Sequence, residues 1–176
     1  MKKIFVVAVI VLGFTSLNAQ ENVAKVNPLG LALGSAELGY ERVLTNNSSV
    51  EIALAYSSSD ATVGGNTEKA TGFGVEGKYK MYFSSSNDAP RGWYGAPVLT
   101  YADATAENGS LKGGVSIFGA GAIAGYQWIF GGGESGFALD LNFGAQYISA
   151  KTSGDVTSAS IDGLLPRLGI AIGYAW

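Results

Sequence analysis

Eight ionisable side chains fall on the polar side of an alternating pattern that runs through most of the chain. They are Glu37, Glu41, Glu51, Glu76, Lys78, Lys80, Asp140 and Arg167. Carboxylates held close together could perform acid–base chemistry or line a path for cations. The same groups could instead pair with one another, as buried charges must. We predict such a self-satisfying network, with Gln127, Asn142 and Gln146 nearby in register.

Other chemistry is excluded by composition. The chain has no histidine and no cysteine, which removes zinc sites built on imidazole or thiolate, Ser-His-Asp and Cys-His catalysis, and disulfides. Residues 115–121, with Gly125 and Asp140 downstream, imitate a dinucleotide-binding fingerprint. No helix is predicted after these glycines, and alternation continues straight through Asp140, so we reject the motif. No catalytic residue, cofactor or metal site is predicted.

The elements that must position these charges are short strands, because apolar residues recur at every second position. Seven strands are predicted at about residues 36–44, 48–58, 72–84, 92–103, 113–130, 136–150 and 162–176. Turn-forming clusters separate them, and short and long clusters alternate along the chain. The short ones lie at 45–47, 85–90 and 131–135, and the long polar ones at 58–71, 104–112 and 151–161.

The two faces of these strands differ in an unusual way. One face carries large apolar side chains, and the other carries charged residues, glycine and alanine. Such small side chains suit the crowded inside of a narrow closed barrel. Aromatic residues on the apolar face gather near strand ends, as in the girdle of a membrane barrel. That girdle is predicted at Phe83, Trp93, Trp128, Phe130 and Phe137. The alternatives are a soluble β-sandwich and a transmembrane helix over residues 114–130.

Closure of a membrane barrel requires an even number of strands in most cases. Residues 25–33 supply the eighth strand, with Leu29, Leu31 and Leu33 outward and a tight turn at Gly34. The alternative is a short coil or helical turn at 27–30 that plugs the barrel. The sequence therefore predicts an all-β, antiparallel up-and-down transmembrane barrel of eight strands. Across its narrow interior, Arg167 is expected to reach the carboxylates on the second strand.

The first nineteen residues have the form of an export signal. Lys2 and Lys3 precede an apolar run over 4–14, which is too short to span a bilayer, and a small polar tail ends at Ala19. We predict a cleaved signal peptide over residues 1–19 and a barrel domain over 20–176. The formal net charge of −3 makes nucleic acid an unsuitable partner.

The chain resembles the small outer-membrane β-barrel family typified by the transmembrane domain of outer membrane protein A. The alternating strands, the aromatic girdle and residues 169–176 carry the resemblance. In that last segment, Ile170, Ile172, Tyr174 and Trp176 look like the family's C-terminal aromatic signal for membrane insertion. Residues 25–29 and 38–42 also look like the opening of uncharacterised barrels of Bacteroidetes-like bacteria.

The resemblance implies the outer membrane of a Gram-negative bacterium, with membrane lipid and the barrel-assembly machinery as partners. We predict a non-enzymatic protein that anchors polar loops at the cell surface, where they meet a ligand that the sequence does not specify. Its lumen is predicted to be closed by the charge network, because eight strands leave an interior that side chains fill. The alternative is a porin-like narrow pore for small molecules.

Overall fold

Eight antiparallel strands form one sheet in the computed structural model of the chain, and this sheet closes on itself in a ring. The structure describes residues 22–63, 66–83, 88–108, 111–131, 135–154 and 160–176. The strands pair in chain order, and the last pairs with the first. The predicted all-β, up-and-down architecture with eight strands is confirmed. The predicted signal peptide, residues 1–19, lies outside the described residues.

The elements follow one another around the ring. They are β1 (Asn22–Val26), α1 (Pro28–Ala32), β2 (Ser35–Thr45), β3 (Ser48–Val63), β4 (Asn66–Tyr82), β5 (Gly92–Asn108), β6 (Leu111–Phe130), β7 (Gly136–Gly154) and β8 (Ser160–Ala175). Residues 114–130 belong to β6, so the alternative of a helix there is wrong. Within the described ranges, no helix is long and apolar enough to cross a membrane.

The first strand differs from its prediction. It begins at Asn22 and ends at Val26, and residues 28–32 form the short helix α1 instead of continuing the strand. The Asn27 side chain caps this helix by accepting a 3.0 Å hydrogen bond from the Gly30 amide, and Pro28 has the fixed φ that suits a first helical turn. The helical turn given as the alternative is therefore present, but the helix contributes no buried residue.

Three hairpins are longer than predicted. Strands β3 and β4 pair as far as Val63 and Asn66, β5 and β6 as far as Asn108 and Leu111, and β7 extends to Gly154. Most of the three predicted polar loops is therefore strand. Backbone pairing needs no apolar side chain, and the threonines in these segments are good strand formers, so the ladders continue where hydrophobicity stops.

The ring of strands encloses both apolar and charged side chains. One buried apolar cluster contains Tyr82, Tyr94, Ala96, Val98 and Ile123, and another contains Val23, Ile129, Ala138 and Ala175. Buried polar residues such as Glu41, Lys80 and Asp140 also face the interior, because successive residues of a strand point to opposite faces. The interior therefore combines small apolar packing with a set of buried charges.

Candidate functional site

Buried charges from five strands meet inside the barrel. We call Lys25, Glu41, Glu51, Lys80 and Asp140 the charge cluster. The strand register places Glu41 opposite Glu51, and Glu51 opposite Lys78 on the next strand. Each of the five side chains in the charge cluster is at most 4% exposed. Ions so far from water must be compensated by their neighbours.

Two ammonium groups share the three carboxylates of the charge cluster. Lys25 Nζ lies 2.7 Å from Glu51 Oε2 and 2.9 Å from Asp140 Oδ2, and it also contacts Glu41. Lys80 Nζ lies 3.0, 2.8 and 2.6 Å from the same three oxygens of Glu41, Glu51 and Asp140. The Gln127 side-chain oxygen accepts from both ammoniums, at 2.6 Å from Lys25 and 3.1 Å from Lys80.

The remaining carboxylate oxygens of the charge cluster also have donors. Tyr82 Oη donates to Glu41 Oε1 at 2.6 Å, and Ser49 donates to the same atom. Tyr94 Oη donates to Asp140 Oδ1 at 2.6 Å. Lys78 Nζ donates to Glu51 Oε1 at 2.7 Å. Both oxygens of every carboxylate in the cluster therefore accept hydrogen bonds, which offsets much of the cost of burying them.

A second group of ion pairs adjoins the charge cluster. Lys78 bridges Glu51 to Glu76, whose Oε1 lies 3.0 Å from its ammonium. Arg167 binds Glu76 through both terminal nitrogens, each at 2.6 Å, and also donates to Gln146 at 3.2 Å. Planar, two-point pairing of this kind is the strongest geometry for an arginine and a carboxylate.

Arg167 was expected to pair with the carboxylates of β2, Glu37 and Glu41, but its carboxylate partner is Glu76 on β4. Glu41 pairs with Val23, which in turn pairs with Ala175 on β8. Arg167 lies eight residues before Ala175, which is roughly 26 Å along a strand. Alternation predicts the face on which a side chain lies but gives no information about its height in the barrel.

Within the described part of the chain, ion pairs connect seven of the eight ionisable residues that were predicted to face inward. The exception is Glu37, a half-buried residue whose carboxylate accepts a 3.1 Å hydrogen bond from Asn27 Nδ2. Gln127, Asn142 and Gln146, expected nearby, are all buried.

Sequence reasoning missed three residues of the site. The predicted strand continued to Leu33 with its leucines outward. Residues an even number of positions apart share a face of a strand, so that prediction placed Lys25 on the outer face. The break at Asn27 removes that constraint, and Lys25 points inward. Tyr82 and Tyr94 were missed because aromatic residues were expected outside. Their positions could have indicated the inner face, because Tyr82 is two residues from Lys80, Tyr94 is two residues from Ala96, and residues two apart share a face.

The three carboxylates of the charge cluster raise the question of a metal ion. Oxygens of Glu41, Glu51 and Asp140 lie within 4.8 Å of one another, and carboxylates are the ligands that Ca²⁺ and Mg²⁺ prefer. Here the same oxygens are bonded to the ammoniums of Lys25 and Lys80. The arrangement is an internally neutralised ion cluster, and its donor set does not suit a divalent cation.

The outer surface carries the predicted girdle residues. Phe83, Trp93, Phe130 and Phe137 are exposed and Trp128 is half-buried, with the Tyr126 and Trp128 ring centres 4.4 Å apart. In the C-terminal segment, Tyr174 and Trp176 are exposed, whereas Ile170 and Ile172 are half-buried. These aromatic side chains lie outside the ring of strands and take no part in the charge cluster.

Comparison with known proteins identifies a family but no activity. The family described as "Protein of unknown function (DUF3575)" matches residues 4–154. The match covers far more than half of the chain, so the chain belongs to this family. No curated protein and no solved structure matched the chain.

Proposed function

We propose that this member of the DUF3575 family is a non-enzymatic outer-membrane β-barrel that anchors polar hairpins at the cell surface. Its lumen is closed by the charge cluster and the ion pairs that adjoin it. Export through the leader at residues 1–19, insertion by the barrel-assembly machinery and residence in a Gram-negative outer membrane are parts of the same proposal.

The observation that carries the proposal is the inverted distribution of polarity. Large apolar side chains cover the outside, while lysines, glutamates and an aspartate are buried inside. Exposed examples from six strands are Leu38, Ile52, Phe73, Leu99, Tyr101, Phe143, Tyr147 and Leu168. Soluble monomers seldom expose a contiguous apolar patch of more than a few hundred Å². A hydrocarbon environment makes the same surface favourable, and the closed ring leaves few strand edges to satisfy.

Aromatic residues at two heights support a membrane position. Phe83, Trp93, Phe130 and Phe137 lie near the short turns, and Tyr56, Phe73, Tyr101, Phe118 and Tyr147 lie toward the long hairpins. Membrane barrels place aromatic girdles at their two interfaces. The polar ends of the hairpins extend beyond the second girdle, which supports a role in presenting them at the surface.

The interior supports an anchor over a conduit. The charge cluster joins β1, β2, β3, β4 and β7 across the lumen, and Tyr82 and Tyr94 pack beside it with ring centres 5.5 Å apart. In a pore, water would have to replace these contacts. The charged and hydroxyl groups would then lose the bonds that they now make to one another. Steady conductance of the wild-type protein in planar bilayers would favour the pore alternative.

Thiol labelling in whole cells tests the proposal directly. The chain has no cysteine, so each introduced cysteine is a unique reporter. Ser153→Cys places one near the end of a long hairpin, and Asn46→Cys places one in a short turn at the other end. A membrane-impermeant maleimide should label Ser153→Cys in intact cells and Asn46→Cys only after lysis. Recovery of the protein in a soluble fraction, or equal labelling of both variants, would contradict the proposal.

A further inference from the structure

The wall of the barrel is incomplete on one side. Strand β1 pairs with β8 only through Ile172 to Ala175, and helix α1 follows where the strand would have continued. Among the described residues, those of β8 before Ile172 therefore have no strand partner on that side. Pro166 lies within this unpaired stretch, and an unpaired edge suits proline because it lacks an N–H. We call this edge of β8 and the facing helix the seam.

A small polar cavity opens at the seam. Its volume is about 60 Å³, and its lining includes Lys25, Asn27, Glu37, Asn142 and Arg167. Asn142 is only 8% exposed, and within the described part of the chain its Oδ1 has no hydrogen-bond partner. Arg167 Nε is buried and likewise unpartnered there. Two residues that line the cavity therefore each carry a buried polar atom without a partner, one an acceptor and one a donor, beside a space for about four water-sized groups.

An apolar groove continues from this cavity along the outside of the barrel. The two share Asn142 of β7 and Leu168, Gly169 and Ile170 of β8. The outer groove is lined further by Leu29 of α1 and by Trp93, Tyr126, Trp128, Leu141 and Phe143 of the neighbouring strands. A polar chamber and an apolar groove thus meet at the seam, which matches the two parts of an amphiphilic molecule.

The charges in the cavity determine which polar headgroup of an amphiphile could bind there. Lys25, Lys78 and Arg167 are all paired with carboxylates, so the cavity offers an anion no uncompensated cation. Glu37 lines the cavity as well and adds a negative charge that would repel an anion. A hydroxyl group can accept a hydrogen bond from Arg167 Nε and donate one to Asn142 Oδ1, so the site favours a neutral, hydroxylated headgroup.

We propose that the seam binds a single-chain amphiphile with a small neutral hydroxylated headgroup, of the monoacylglycerol class. The headgroup occupies the polar cavity, and the acyl chain lies in the outer groove. This inference rests on the proposed function, because the groove faces hydrocarbon only if the barrel is in a membrane. Entry is from the bilayer, through the part of the wall that β1 does not complete.

The test uses the full mature barrel reconstituted in lipid bilayers and then released for native mass spectrometry. Monoolein is the probe, and oleate is the anionic comparison with the same acyl chain. Leu168→Trp fills the groove at a residue that is 86% exposed. Leu164→Trp is its matched control on the same face of β8, 70% exposed and outside both the cavity and the groove. Asn142→Leu removes the free acceptor at a residue that lines both the cavity and the groove.

We expect one monoolein per wild-type barrel, with oleate bound about tenfold more weakly. Leu168→Trp and Asn142→Leu should each weaken monoolein binding about tenfold, and Leu164→Trp should change it less than about twofold. A folded, inserted wild-type barrel that retains no monoolein would overturn the inference and leave the proposed function standing. Equal retention by Leu168→Trp and Leu164→Trp, or equal retention of oleate, would also overturn it. A chain that never inserts would contradict both.

Discussion

Lys25 on the first strand lies 2.9 Å from Asp140 on the seventh, 115 residues later in the chain. Strand β8 lies between these two strands in the ring, so the ion pair connects both sides of the closure. Strand β1 has only five residues, and its ladder to β8 is correspondingly short. The Lys25 ammonium supplements that ladder by joining β1 to carboxylates on β2, β3 and β7.

Replacing Lys25 should therefore destabilise the whole barrel. In Lys25→Met, the three buried carboxylates keep the Lys80 ammonium, and Glu51 also keeps Lys78, so one negative charge more is left uncompensated. We expect the free energy of unfolding to fall by about 3–5 kcal/mol, because that charge stays buried. Urea titration of the barrel in lipid vesicles measures this change. The control is Lys151→Met, at an exposed position on β7, which should cost less than about 0.5 kcal/mol. Equal stability of the two variants would show that the charge cluster contributes little to closure.

Arg167 and Glu76 should be energetically coupled. Their two-point contact is partly exposed, with the Arg167 side chain at 21%, so solvent weakens the pair. A double-mutant cycle with Arg167→Met and Glu76→Gln should give a coupling of about 1–2 kcal/mol. An additive cycle would mean that the two residues do not act as a pair.

Loss of Arg167 should leave conductance near background. The sequence predicts that Arg167 reaches the carboxylates of β2. The structure pairs it with Glu76 instead, and the charge cluster still crosses the lumen without it. Planar-bilayer recordings of Arg167→Ala should match those of the wild type. A rise in cation current in the variant would show that Arg167 itself blocks the lumen.

Alternation predicted most of the fold because the pleat of a strand has a period of two residues. For seven strands, stretches of alternating apolar and polar residues, such as 137–147, assign the inner and outer faces even when the turn conformations are unknown. Strand β1 could not be predicted in this way. Its five residues are too few for a clear pattern, and the leucines of α1 imitate an alternating strand while lying in a helix.

The site was predicted less well than the fold, for a related reason. Parity identified the inward charges, but the contacts between them depend on register, which turn lengths and backbone pairing determine. Arg167 and Glu76 come together from β8 and β4 because of that register, which the sequence does not reveal. The buried Tyr82 and Tyr94 were also predicted poorly. Their aromatic character favoured the outer face, and only their position in the alternation indicated the inner face.

An arginine on the outer face should reveal the membrane environment. Leu141 lies on the outward side of β7, about midway between the outward aromatic residues Phe137 and Tyr147, and Ser153 lies on the same side near the hairpin end. Leu141→Arg should cost about 2–4 kcal/mol, because a charge near the bilayer midplane loses hydration, whereas the cost at Ser153 should be close to zero. Folding titrations in vesicles compare the two. Equal costs would place Leu141 outside the hydrocarbon.

The closeness of β6 to Tyr94 gives a last prediction, at Gly125. A Cβ on Gly125 would lie 2.6 Å from Tyr94 Oη and 2.7 Å from the Leu141 carbonyl oxygen. Tyr94 cannot move aside freely, because its hydroxyl is bonded to Asp140 and its ring packs against Tyr82. Gly125→Ala should therefore destabilise the barrel by about 1–3 kcal/mol through overpacking. Gly77→Ala is the matched control, since a Cβ there meets nothing within 4 Å, and its effect should stay within about 0.5 kcal/mol. The same urea titration measures both variants, and a Gly125→Ala barrel as stable as Gly77→Ala would contradict the tight packing of Tyr94 against β6.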